Sequence, residues 1–358
     1  MIEIVVAGGG PSGAAAACLL ARAGRRVVVV EREAEPKHSI CGEFLAGAGL
    51  DRLAELGVDM GRLGARPITR MRLVRGDAVA EARLPFPALS LSRRVLDSAL
   101  LDRAELAGAE VLRGHAIRAI EPGVLHIEGH GELRASALLL ATGKHDVRGA
   151  RRMAENPPDL VGFKTHLRLA PAQSAALEGV VELILFRDGY AGLQPVEGGQ
   201  ANLCLLIDRA RLSREGGTWD GLLAGLLAEC GHLRRRLAGA DGWPKPLAIA
   251  RVPYGYVHPS VDDNVFRLGD QMAVIPSFTG GGMTIALHSA ALAARCILEG
   301  GAADAYARAI RRDVRGPMRV AGLLYGAGRL GWLQGAIMRL AGWWPGGMAD
   351  LAAMTRVG

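Results

Sequence analysis

Apolar and polar residues follow three different periods along this chain. Short, nearly unbroken apolar runs occur at Ile2 to Ala7, Val27 to Val30 and, ending in small residues, Leu138 to Gly143. Such runs suit strands covered on both faces, as in a parallel sheet. Looser alternation over residues 67–85 predicts a β-ribbon. Val180 to Phe186, Tyr190 to Val196 and Asn202 to Ile207 read as consecutive strands of an antiparallel sheet. Helical spacing marks Ala14 to Ala23, Ser92 to Ala107, Trp219 to Leu237 and a segment from Gly280 to about Glu299. Another helix is expected to open at Cys41-Gly42-Glu43 and run through Leu50 to Leu56. A strand at Glu110 to Arg113 precedes short antiparallel strands over 116–136, with turns at Pro122-Gly123 and Gly129-His130-Gly131. Asn264 to Leu268 reads as a further strand.

Strand, helix and strand at the start, antiparallel strands in the middle, and strand then helix near the end predict an α/β fold in two parts. A Rossmann-like domain takes residues 1–157 and 255–312, with 67–89 leaving it as the ribbon. Residues 158–254 form an inserted antiparallel-sheet substrate domain, and 313–358 form a helical tail. The chain has 358 residues, half of them hydrophobic, which is enough for two cores.

Arg and Lys number 43 against 36 acids, and only Lys37, Lys144, Lys164 and Lys245 are lysines. The basic residues are dispersed and aromatics make up 4%, so no basic-aromatic stripe points to nucleic acid. Five scattered cysteines without Cys-x-x-Cys give neither a disulfide framework nor a zinc site, and fit a reducing cytoplasm. Nine histidines show no ligand spacing, so no metal is expected. No Gly-x-Ser-x-Gly elbow supports a serine triad. The first core strand follows Met1 directly, so no signal peptide is expected, and no charge-free run is long enough to span a bilayer.

The chemistry begins at Gly8-Gly9-Gly10-Pro11-Ser12-Gly13, which fits G-x-G-x-x-G between a strand and a helix. Gly8 permits the tight turn, Gly10 lets a pyrophosphate approach the backbone, and Gly13 lets helix and strand pack closely. The helix N-terminus offers free N–H groups and a positive dipole end. Glu31, 18 residues past Gly13, stands where a carboxylate accepts ribose hydroxyls. A second match, Gly326 to Gly331, follows no strand and is read as no site. Far downstream, Leu268-Gly269-Asp270 leads through Pro276 to Gly280-Gly281-Gly282-Met283. A nicotinamide site has no use for this second anchor. FAD does, because its ribityl chain and ring need a grip at the far end.

With Arg93-Arg94-Val95-Leu96-Asp97 and Leu138 to Gly143, these motifs make the sequence resemble the FAD-dependent oxidoreductases of the geranylgeranyl reductase and aromatic hydroxylase superfamily. The resemblance runs from residue 2 to about 300. It implies that Asp270 holds a ribityl hydroxyl and Arg93 the pyrophosphate. Gly280 to Met283 open a helix toward the pyrimidine edge, where reduction of the ring places negative charge. It further implies FAD contacts from Pro11, Ser12, Arg32, Ala116, Ala141, Thr142 and Gly143, and from Gly269 beside Asp270. Lys37-His38-Ser39-Ile40-Cys41-Gly42-Glu43 resembles the Cys-Gly loop of the reductase branch, which places Cys41 and Gly42 at the ring. Cys41 is there a candidate catalytic residue or a small buried hydrophobe. Gly189-Tyr190-Ala191-Gly192-Leu193-Gln194-Pro195 resembles a segment facing the flavin, with Gly192 in place of Trp; Tyr190 and Gly192 would line a widened substrate pocket.

Two departures bear on the reaction. At the Asp-Gly motif of NADPH-using hydroxylases the chain reads Lys144-His145-Asp146-Val147-Arg148-Gly149, and the Trp-x-Trp-x-Ile-Pro motif of flavin halogenases is missing. The resemblance thus implies double-bond reduction in an apolar isoprenoid or polyketide-like molecule. An O₂-using monooxygenase and a non-catalytic flavin module are the alternatives. NADPH, NADH or a partner protein stays open as electron donor. Trp332, Trp343 and Trp344 lie in a tail whose Arg315, Arg319, Arg329 and Arg339 would share an arc of about 160° on one helix. Peripheral membrane contact is one expectation for it, cover over the substrate channel another.

Overall fold

The computed structural model describes residues 2–121, 123–152, 158–259 and 265–357; Pro122, Asn264 and the expected boundary at 157 lie outside them. Five strands form the parallel part of a first sheet, in the order Glu110–Arg113, Val27–Glu31, Ile2–Ala7, Gly131–Leu140, Val265–Arg267. The long strand Gly131–Leu140 does two jobs. Its last residues pair with Val265–Arg267, while its first residues pair antiparallel with Val124–Ile127, which continues to Ile117–Glu121. Helices Pro11–Arg22, Arg93–Leu106 and Gly282–Leu298 join one core cluster on this sheet, built largely of alanine and leucine.

A second seven-stranded sheet runs Leu247–Ala250, Leu160–Leu167, Ala201–Asp208, Gly189–Pro195, Val180–Phe186, Arg70–Arg75, Ala78–Arg83. It is antiparallel except where the ribbon strand Arg70–Arg75 meets Val180–Phe186 in parallel. Apolar residues of Trp219–Glu229 and Gly231–Leu237 share a core with one set of its residues. Leu73, Ala80, Leu185, Tyr190 and Leu206 belong to another core, shared with Met338, Ala341 and Met348 of the tail.

Three expectations need correction. Cys41-Gly42-Glu43 does not open a helix: Phe44–Ala46 is a short strand and the helix is Ala48–Glu55. Positive φ at Glu43 (60°) and Gly47 (52°) breaks the helical path on both sides of that strand. The helix expected from Trp219 to Leu237 divides at Cys230, whose Sγ accepts from Leu233 N and starts the second helix. The tail forms Ala303–Arg329, Gly331–Trp343 and Pro345–Met354. Its break at Leu330 separates Arg339 from the other three arginines, and no single arc holds all four.

Candidate active site

The glycines of the first turn do different work. A Cβ on Gly13 would lie 1.9 Å from Gly8 O, and one on Gly8 would lie 2.6 Å from Ala141 O, so these positions close strand against helix. Gly10 instead has φ −70° and ψ −175°, which any residue adopts, and the nearest atom to its Cβ position is Arg93 Nη2 at 3.5 Å. Space is thus open above Gly10 at a helix N-terminus with no side-chain cap. The Glu31 carboxylate beside it accepts from Gly9 N at 2.7 Å and Glu33 N at 2.9 Å. Arg93 donates from Nε and Nη2 to both Asp97 oxygens, 2.7 Å each. Burial works against the Arg93 charge, but Asp97 and the Cys41 sulfur outweigh it and hold the guanidinium above its ordinary pKa.

At the second anchor, Asp270 accepts from Lys144 Nζ at 2.8 Å. Burial favours the neutral acid there, yet Lys144 outweighs it and holds the carboxyl below its ordinary value. Gly280 has φ 66°, and a Cβ on it would sit 2.6 Å from the Phe44 ring. Gly282 starts its helix without a side-chain cap and with nothing within 4 Å of its Cβ position.

The Cys41 loop crosses between these anchors and is tied to the second sheet. Asn202 Nδ2 donates to Cys41 O at 3.1 Å and Gly42 O at 3.0 Å, and Gln194 Nε2 donates to Glu43 O at 2.8 Å. Lys164 donates to Ser39 O at 2.8 Å and to the Glu43 carboxylate, which also bonds His166 Nε2 and Arg93 N, both at 2.7 Å. Burial alone would raise the Glu43 carboxyl; His166 and Lys164 outweigh it and keep it low. His38 stacks on His166 with ring centroids 4.3 Å apart, and burial lowers its pKa to about 4. His38, Glu43 and His166 thus converge as a metal site would, but the Lys164 ammonium already supplies the positive charge on the carboxylate.

Both anchors and this loop line one cavity of about 1200 Å³, larger than the roughly 300–1,000 Å³ of ordinary small-molecule pockets. Its second half is apolar, with Leu73, Leu185, Leu206, Ile249, Val252 and Phe278 in the wall. One polar spot interrupts it: Tyr190 Oη bonds Ser277 Oγ at 2.7 Å and Tyr254 Oη at 3.2 Å. Burial holds Tyr190 well above its ordinary pKa, and pushes the wall thiol Cys204 up to about 12, so both stay protonated. Arg356 also lines the cavity, its guanidinium over Phe86 (4.3 Å) and Phe44 (5.4 Å), with Nε and Nη1 lacking any hydrogen-bond partner among the described residues.

The structure places nearly all the expected contact residues on this cavity, among them Arg32, Gly42, Ala116, Thr142, Gly269 and Met283, and both Tyr190 and Gly192. Gly13, Pro276 and Gly281 stand outside the wall. Lys144, Glu43, Lys164, His166, Asn202 and Arg356 were not singled out from sequence. Two carried a signal: Lys144 occupies the place of the missing Asp-Gly motif, and Glu43 ends the Cys-Gly loop.

Residues 1–135 match an FAD binding domain family. Digeranylgeranylglycerophospholipid reductase 2 of Methanopyrus kandleri is 31% identical over 303 residues, which cover 80% of this chain and 74% of the relative. Menaquinone reductase of Mycobacterium tuberculosis is 27% identical over 316 residues, covering 82% and 76%. Among solved structures, the flavin-dependent brominase Bmp2 superposes with a TM-score of 0.77 at 18% identity, covering 95% of this chain and 93% of its own. PqsL of Pseudomonas aeruginosa, described as a probable FAD-dependent monooxygenase, gives 0.71 at 18% identity, covering 94% and 99%. At such identity the two structures share the fold alone. The residues present fit an FAD: an open cradle above Gly10, a carboxylate at Glu31, another at Asp270 and an uncapped helix start at Gly282.

Proposed function

Since the chain belongs to the geranylgeranyl reductase family of FAD-dependent oxidoreductases, we propose that it reduces carbon–carbon double bonds in an apolar, isoprenoid-like molecule. The observation that carries this reading is the single cavity, with a dinucleotide cradle in one half and an apolar wall in the other. Bound and reduced FAD would supply the hydride. The chain's own share is to exclude water and hold a proton. Tyr190 Oη, kept protonated by burial and oriented by Ser277 and Tyr254, is the group we assign to that task, with Cys41 in the wall on the cradle side. Glu31, Arg93 and Asp270 would hold the cofactor's ribose, pyrophosphate and ribityl chain. The relatives named above, acting on a geranylgeranylated phospholipid and on menaquinone, support a long apolar substrate. The segment where hydroxylases carry Asp-Gly is pinned here by Lys144 to Asp270 and by Arg152 to Asp146, which supports a separate electron donor over direct nicotinamide binding.

Anaerobic incubation of dithionite-reduced, FAD-loaded protein with a geranylgeranylated lipid or menaquinone tests the reading by mass spectrometry. A gain of about 2 Da per saturated bond is expected, counted for menaquinone on the reoxidised quinone, because dithionite alone converts it to the quinol. A gain of about 16 Da on admitting O₂, with no anaerobic product, would replace it with hydroxylation. Titration with NADPH and NADH reports the donor: flavin that bleaches only with dithionite supports a partner carrier.

A further inference from the structure

The three tail helices carry an unusual surface. Of the thirteen exposed large hydrophobic side chains among the described residues, eight lie between 323 and 354: Leu323, Leu330, Trp332, Leu340, Trp343, Trp344, Leu351 and Met354. Trp343 is 90% exposed and Trp332 74%. A soluble helix with one apolar stripe buries it, and Gly331–Trp343 does so with Met338 and Ala341, which pack among residues of the second sheet. Buried Gln334 fastens that side, receiving from Arg75 Nε at 3.3 Å and donating to Phe186 O at 3.2 Å. Its outer face is apolar as well. Trp332, Arg339, Leu340 and Trp343 fall within about 100° of one another on an ideal helix.

We propose that this outer face docks on an anionic phospholipid bilayer and that the apolar substrate enters the cavity from it. Three observations select that occupant. Tryptophans with an arginine between them on one helix face suit the bilayer interface, where rings bury and the guanidinium meets phosphate. Residues 314–355 hold four arginines, Arg315, Arg319, Arg329 and Arg339, all exposed, and one acid, Asp350, so the segment complements an anionic surface. The patch is also continuous with the cavity: Leu340, Trp344, Leu351 and Met354 are exposed and line its wall. A face seated on lipid would therefore put the cavity mouth against the acyl boundary. No helix among the described residues is long and apolar enough to cross a membrane, so the contact is peripheral. The substrate route rests on the apolar-substrate reading above; the docking itself does not.

The experiment is co-sedimentation of the full, FAD-loaded chain with sucrose-filled vesicles, either pure phosphatidylcholine or containing about one-third phosphatidylglycerol. Binding is expected to the anionic vesicles and to weaken steeply with salt. Trp332→Ser/Trp343→Ser is expected to abolish it with thermal melting and flavin spectrum unchanged, and Arg339→Gln to weaken it about fivefold. No binding to anionic vesicles at low salt overturns the proposal. So does a dimer in size-exclusion chromatography that the double variant converts to monomer, because a second copy then covers the face. Docking that succeeds while every double-bond assay fails would discard the substrate reading and keep the surface.

Discussion

The Glu43 carboxylate and the Lys164 ammonium, 121 residues apart in sequence, bond each other with both side chains out of reach of water. The pair joins the Cys41 loop to the strand Leu160–Leu167 of the second sheet. Glu43 sits there at φ 60°, an uncommon conformation for a side chain of its size, and its carboxylate also holds His166 and the first N–H of the Arg93 helix.

Breaking the pair from one side leaves a buried charge alone, which costs about 3–5 kcal/mol. Lys164→Met and Glu43→Gln should each lower stability in urea titrations. The double variant should recover much of the loss, since it buries no unpaired charge. Strictly additive losses would mean that the two groups are not coupled. Because the loop carries Cys41 to the cofactor cradle, the single variants should also shift the absorbance of bound FAD.

The two kinds of glycine in the first turn should separate folding from cofactor binding. Gly13→Ala forces a Cβ to 1.9 Å from Gly8 O, so little folded protein is expected. Gly10→Ala meets only the end of Arg93 and should fold with an unchanged melting temperature while losing FAD. Equal FAD affinity in Gly10→Ala and the unaltered chain, read by flavin fluorescence, would remove the pyrophosphate from this place.

Asp270→Asn removes a charged acceptor at the second anchor. Charge-assisted hydrogen bonds of this kind contribute about 1.5–3 kcal/mol, so FAD affinity should fall on the order of 10- to 100-fold. Circular dichroism of the FAD-free variant should match that of the unaltered chain.

Acid should lower the stability of the protein over two pH windows. Burial holds His38 near 4, below its ordinary 6.5. Its folded pKa is depressed, so stability is full above about 6.5 and is lost as pH falls toward 4, by about 1–2 kcal/mol once solvent screening of this half-buried ring is allowed for. Glu182 is fully buried; His232 and Arg236 outweigh that burial and hold it near 2, against an ordinary 4.5. Its contribution is full above about 4.5 and is lost as pH falls toward 2, on the same scale. Urea midpoints across pH 7.5 to 3 should show both windows. His38→Asn should shrink the upper one and Glu182→Gln the lower, which Glu43 and Asp270 share.

Local signals explain why so much of the first sheet could be read in advance. The run into Gly8, the alanine-rich helix and Glu31 are neighbours in sequence as in space, and their chemistry is backbone chemistry. The misread stretch at 41–56 shows the opposite case. Its leucine spacing is helical, but Glu43 is held by Lys164, His166, Gln194 and Arg93, and those contacts override local propensity. The tail reads as helical, but its packing on the second sheet does not, for a related reason. Its glycines weaken an isolated helix, yet Met338, Ala341 and Met348 gain burial on the second sheet that no periodicity announces. Cys230 ended a helix because its sulfur caps the next one, a role that cysteine composition does not suggest.

The undivided cavity has a consequence for the order of assembly. With no partition between cradle and apolar half, the ring of a bound FAD would itself become the floor on which the second occupant rests. The protein alone is then a vessel too large to discriminate among greasy molecules. Selectivity would arise only after loading, as a joint property of chain and cofactor, and each guest would tighten its hold on the other across the face they share.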